Sequence, residues 1–110
     1  MSAMKLPAPV QAFFDADKAN DGDALVDAFT PDAVVEDEGQ SHAGRQAIAV
    51  WWHDAKARFQ HVIEPIGMSE TGGVVEVRTK VTGQFQGSPA TLTFAFQLKG
   101  DRIKDLEIGA

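Results

Sequence analysis

The spacing of apolar residues along this chain changes once, near Phe59. Before that point it is helical. Val10, Phe13, Phe14 and Asp17 share one helical stripe with Asp15 and Lys18 outward, and Pro9 suits a first helical turn. Asn20-Asp21-Gly22-Asp23 reads as a stop followed by a fresh N-cap. A short second helix then carries Leu25, Val26 and Phe29 and ends before Pro31. Ala33 to Asp37 reads as a brief strand and Gly39 to Gly44 as a polar loop. The longest helix follows, over Arg45 to Arg58, with Ile48, Trp52, Ala55 and Phe59 at i, i+4, i+7 and i+11 forming one buried stripe.

After Phe59 the pattern alternates. Val62 to Ser69 reads as a strand made irregular by Pro65, and Thr71-Gly72-Gly73 as a turn. Val75, Val77, Thr79 and Val81 then share one face and Glu76, Arg78 and Lys80 the other. Beyond the Gly87-Ser88-Pro89 turn, Leu92, Phe94, Phe96 and Leu98 form the next inward row. Lys104, Leu106 and Ile108 are expected on that same face after the turn at Lys99-Gly100-Asp101-Arg102. Helices grouped before a run of strands predict an α+β domain occupying residues 1–110 as one unit. A sheet with one apolar face must bury it, and the three helices are the candidates. The expected architecture is therefore a curved antiparallel (mixed) sheet wrapped around three N-terminal helices.

Composition narrows the partners. Lys and Arg number 10 against 16 Asp and Glu, a formal charge of −6, which argues against nucleic acid and against anionic membrane surfaces. Apolar residues make up 44% and charged residues 24%, an ordinary globular mix. With no cysteine, disulfides, thiolate metal sites and a Cys nucleophile are excluded. Met1 to Val10 has no apolar stretch of the signal-peptide kind, and no segment approaches ~18 consecutive apolar residues, so a soluble cytoplasmic protein is expected.

Four segments carry a family resemblance: Asn20-Asp21-Gly22-Asp23, Phe29-Thr30-Pro31-Asp32-Ala33-Val34-Val35-Glu36-Asp37, Gly44-Arg45-Gln46-Ala47-Ile48 and Gly100-Asp101-Arg102-Ile103. In this order and spacing the chain resembles the nuclear transport factor 2-like superfamily, in its SnoaL-like and ketosteroid-isomerase-like branch, over nearly its whole length. The resemblance implies a cone-shaped sheet with a deep pocket. It also implies a proton-shuttling aspartate at Asp37, a pocket aromatic at Trp52, and another at Phe13 or Phe14. The isomerases surround the enolate oxygen with a tyrosine and a protonated aspartic acid. Here there is no tyrosine, and the second acid's place falls at Phe96, Phe94 or Thr93. That oxyanion hole is absent as the isomerases build it.

Period two within Ala33–Asp37 sets Asp37 on the face of Val35, at the mouth of the expected hollow. A carboxylate desolvated among aromatic rings becomes a candidate general base; the alternative is a loop cap or a surface pair with Arg45. Trp52 offers a ring to stack on and one N–H, or simple core packing. His53 adjoins it and is a candidate acid–base partner, against the reading of a solvated helix-surface histidine. Asp17 shares the stripe of Phe13 and so can reach the pocket. Val77, Phe94, Phe96 and Leu106 complete the expected ligand-contacting set. His42, His53 and His61 lack metal-ligand spacing, so neither metal nor cofactor is expected.

Three readings stay open. One is a proton-transfer isomerase or cyclase acting on a small hydrophobic carbonyl compound, and another a non-catalytic binder of a small apolar metabolite. The third is an association module. A homodimer through the outer sheet face, where Thr91, Thr93, Ala95 and Gln97 lie beside Glu76 and Arg78, is compatible with either of the others.

Overall fold

The computed structural model describes residues 5–109, so the reading of Met1 to Val10 lies partly outside the described residues. Helices α1 (Ala8–Lys18), α2 (Gly22–Asp27) and α3 (Arg45–Phe59) accompany six strands: β1 (Phe29–Asp37), β2 (Gln40–Ala43), β3 (Val62–Thr71), β4 (Val74–Thr82), β5 (Ala90–Lys99) and β6 (Arg102–Gly109). The strands form one curved, unclosed sheet in the order β2-β1-β6-β5-β4-β3. Every neighbouring pair is antiparallel except β1 and β6, which run parallel. The mixed α+β architecture is the one expected.

Local chemistry accounts for several boundaries. Asp21 accepts a hydrogen bond from the backbone N–H of Ala24 and starts α2. α3 ends where Gln60 takes a left-handed conformation. The β3–β4 hairpin turns on Gly72 and Gly73, both at positive φ, and register slips between Pro65 and Gly67, as the proline predicts.

Three expectations need correction. The stretch expected as loop between Gly39 and Gly44 holds β2. Glu38 (φ 54°) and Gly39 (φ 75°) make a tight two-residue turn that returns the chain along β1, pairing Asp37 with Gln40. Phe29 lies in β1 rather than in α2, beside Ile103 of β6, despite the nearby Pro31; the register shift between Phe29 and Val34 absorbs the irregularity. Finally, Lys104 is exposed while Ile103 and Leu106 are buried. Gln97 pairs with Asp105 but Leu98 pairs with Ile103, so Lys104 is the extra residue of a bulge that turns Ile103 inward.

The core lies between the concave sheet face and the helices. Phe13 on α1 meets Phe14, Phe29, Phe94 and Phe96 edge-on, with ring centroids 5.4 to 6.3 Å apart. On β4, Val75, Val77, Thr79 and Val81 are buried and Glu76, Arg78 and Lys80 exposed, the alternation read from the sequence. Of the α3 stripe, Ile48 and Trp52 are buried in this core, while Ala55 and Phe59 are half-buried further along.

Arg45 does not answer Glu36 or Asp37. Its guanidinium donates from Nε and Nη2 to the carbonyl oxygen of Phe29, at 3.1 and 2.6 Å, where the β1–β6 ladder shifts register. β2 pairs with β1 only from Val34 to Asp37, so no β2 residue is paired with Phe29, and a forked cation suits its carbonyl. Arg45→Ala is expected to lower stability by ~1.5–3 kcal/mol in urea denaturation, the range for hydrogen bonds from charged donors. A loss indistinguishable from zero would contradict this role.

Candidate functional site

Between the C-terminal half of α3 and the open end of the sheet lies a cavity of about 320 Å³, at the small end of the ~300–1,000 Å³ range typical of ligand pockets. Its walls are largely aromatic: Phe13, Trp51, Trp52, Phe59, Phe85 and Phe94 all contribute. The loop joining β4 to β5 closes one side. It is fastened to the end of α3 by the Gln84 N–H on the Phe59 carbonyl at 2.7 Å, the Gln84 amide on Gln60, and an edge-on contact of Phe85 with Phe59.

Polar groups enter this wall at two places. At the first, Asp17 of α1 is 2% exposed and accepts three hydrogen bonds. The indole N–H of Trp52 donates to Oδ2 at 2.9 Å, Nε2 of His61 lies 3.0 Å from the same oxygen, and Nζ of Lys56 is 3.0 Å from Oδ1. Lys56 also donates to the His61 carbonyl. Burial by itself would raise the Asp17 pKa. Hydrogen bonds from His61, Trp52 and Lys56, with the attraction of His61, outweigh it and hold the carboxyl below its ordinary value of 3.8. Asp17 is therefore an ionised carboxylate fastened from three sides.

The second place is the end of β1. Asp37 is half-buried on the cavity wall, beside the exposed Glu38, and accepts from the indole N–H of Trp51 at 3.1 Å. The period-two argument from Val35 thus puts Asp37 on the cavity side, with Trp51 rather than Arg45 as its partner.

Of the other residues singled out from the sequence, Phe13, Asp17, Trp52 and Phe94 line the cavity. Phe14, Val77, Phe96 and Leu106 do not; they are buried in the aromatic and aliphatic core behind it. His53 does not either. About 100° further round α3 from Trp52, it is exposed and lies over α2. Its ring meets Trp52 edge-on at 5.0 Å, and a Cβ on Gly22 would come within 2.9 Å of its Nε2. The Trp52 N–H is committed to Asp17 and is not the free donor imagined for a ligand. Sequence reasoning missed His61 and Lys56. A signal existed, because an aspartate on an apolar stripe requires buried donors, and Lys56 lies one turn beyond Trp52. Among the described residues no group of His, Cys, Asp and Glu is arranged to hold a metal ion, and no helix is long and apolar enough to cross a membrane.

The profile of the SnoaL-like domain matches residues 10–106. The chain belongs to the SnoaL-like family. Among solved structures, it is similar to a candidate polyketide cyclase from Sinorhizobium meliloti. That match has 50% identity and a TM-score of 0.93, covering 98% of this chain and 99% of the other. A ketosteroid-isomerase-like fold protein from Catenulispora acidiphila, solved in complex with trimethylamine, superposes with a TM-score of 0.83 at 19% identity, covering 96% and 87%. A computationally designed 17-OHP binder does so at 0.79 with 14% identity, covering 97% and 92%. These last two likenesses are of fold. Among curated proteins no sequence matches.

Asp17 should show in acid stability. Its carboxyl titrates lower in the folded chain than in the unfolded one. The stability it contributes is therefore full above the unfolded value, near 4, and is lost as pH falls through the folded value. Asp17→Asn, which leaves Lys56 facing a neutral amide, is expected to cost ~3 kcal/mol at pH 7, and the gap to wild type should narrow below about pH 4. Denaturation at both pH values checks it; a gap independent of pH would refute it.

Proposed function

We propose that this SnoaL-like protein is a proton-transfer enzyme, an isomerase or cyclase, acting on a small hydrophobic carbonyl compound with Asp37 as general base. The observation that carries this reading is a half-buried carboxylate on the wall of a largely aromatic cavity, oriented by the Trp51 indole N–H. A base that removes a proton α to a carbonyl must stand within hydrogen-bond reach of a flat substrate, and rings on several sides hold such a molecule by its faces. The Sinorhizobium meliloti relative, a candidate polyketide cyclase at 50% identity, supports the same chemistry.

The cavity suits a compact planar molecule. Asp37 and Glu38 at its rim disfavour an anionic one, because Lys56 is already engaged by Asp17. A second reading, a non-catalytic binder of a small apolar metabolite, is supported by the apolar wall and by the two indole N–H groups already engaged within the protein.

One experiment separates the two. Isomerisation of a small cyclic β,γ-unsaturated ketone is followed by absorbance for wild type and for Asp37→Asn. The variant is expected to lose ~10²–10⁴-fold in rate, the range for a positioned general base, with a melting temperature within a few degrees of wild type. A wild type that does not turn the ketone over, yet is stabilised by apolar ligands in thermal shift, would favour the binder.

A homodimer through the outer sheet face accompanies either reading. Thr93, Ala95 and Gln97 are half-buried there beside exposed Glu76 and Arg78, a surface neither fully solvated nor greasy. Light scattering at micromolar concentration should give twice the chain mass; a monomer mass would end it.

A further inference from the structure

The Asp37 reading leaves one position empty: what meets the substrate's oxygen. No tyrosine exists to do so, and Phe94, Phe96 and Thr93 offer no carboxylic acid. Both cavity indoles are engaged, Trp51 with Asp37 and Trp52 with Asp17. Lys56 is held between Asp17 and the His61 carbonyl. Of the polar wall residues near Asp17, His61 alone keeps a free hydrogen-bonding atom.

Its geometry specifies which atom. Nε2 of His61 lies 3.0 Å from Oδ2 of Asp17. An ionised carboxylate has no hydrogen to give, so Nε2 must carry the shared hydrogen whether the ring is neutral or charged. The exchangeable proton therefore belongs to Nδ1. That atom makes no hydrogen bond to the described residues and is not enclosed by them, and its side chain, 14% exposed, is part of the cavity wall. The same logic governs a histidine oriented by an aspartate in nucleophilic enzymes: the carboxylate holds one nitrogen so that the other works.

We propose that His61 is the oxygen-facing acid–base group of the cavity, with Nδ1 bonding the hydroxyl or carbonyl of a flat aromatic or enolisable ligand, and with Asp17 as its positioning residue. The proposal rests on the reading of the cavity as a proton-transfer site. In the enolisation step the α C–H bond breaks and its proton goes to Asp37. The C–H electron pair becomes the enol double bond, and the carbonyl oxygen takes a proton from Nδ1 of the imidazolium, leaving a neutral ring. Return of the proton from Asp37 to a different carbon, and of the enol proton to Nδ1, completes an isomerisation with no other reactant. Lys56 and Trp52 act one step further back, by holding Asp17 in place.

The test uses two probes of equal shape, 2-naphthol and naphthalene, which differ by one hydroxyl. Binding of both to the full chain is measured by tryptophan fluorescence, and the His61 ring nitrogens are followed by ¹⁵N NMR. Expected are a hydrogen on Nε2 while Asp17 is ionised, a shift of the Nδ1 resonance with 2-naphthol but not with naphthalene, and tighter binding of the naphthol. His61→Gln should weaken 2-naphthol about tenfold and leave naphthalene unchanged. Asp17→Asn should let the ring populate the other tautomer, a change that loss of packing alone would not produce. The NMR measurement on wild type needs no variant to fold. Naphthalene bound as tightly as 2-naphthol, or a hydrogen on Nδ1 with Nε2 bare, would overturn the His61 assignment and leave the Asp37 reading standing. If neither probe binds, both fall.

Discussion

A carboxylate that is 2% exposed has to be met by donors from whichever parts of the chain can reach it, and Asp17 is met by three. Its partners come from the middle and last turn of α3 and from the residue just before β3. One charge thereby ties the first helix, the long helix and the entry to the sheet into a single arrangement. Without this knot the aromatic core would still bury area, because Phe13, Phe94 and Phe96 need no polar help. What the knot adds is direction: it fixes where α3 lies along α1, and so where the space beside α3 remains open.

That open space follows from how the α3 stripe is used. Ile48 lies in the core and Trp52 at the boundary of core and cavity, whereas Ala55 and Phe59, on the same stripe, face a region where the sheet has curved away. One helix face is thus half core and half cavity wall. Asp37 reaches the opening because β1 is long enough to carry it there before the Glu38–Gly39 turn reverses the chain. The two carboxylates, one enclosed and triply bonded, the other half-buried with one indole donor, occupy different environments of one cavity.

Much of this was legible in the sequence, and the rest was hidden for identifiable reasons. The alternation of Val75, Val77, Thr79 and Val81 against Glu76, Arg78 and Lys80 is local, and local patterns survive folding. The placing of Asp37 beside Val35 used the same period. Lys104 was misread because a bulge breaks period two at a point set by the partner strand, which no window of sequence contains. β2 was missed because four polar residues at a sheet edge carry no apolar alternation. His53 is a candidate in the sequence because it adjoins Trp52, but neighbours on a helix point in different directions, while Trp52 and His61 converge on one oxygen from separate elements. The Arg45 bond to Phe29 likewise joins a helix start to a strand start that only the fold brings together.

The parallel pairing of β1 with β6 carries a consequence for how the chain comes together. Residues 29–37 pair on one side with the adjacent β2 and on the other with residues 102–109, the sixth strand in chain order. The three helices and the first hairpin emerge early, but the β3–β6 meander can zip up by itself through near neighbours, whereas the seam joining the two halves closes a loop of most of the chain. The hollow takes its walls from both halves: Asp37 and α3 from the first, Val81, Leu92, Phe94 and Ile108 from the second. The cavity therefore stands at the join between a locally ordered beginning and a locally ordered end.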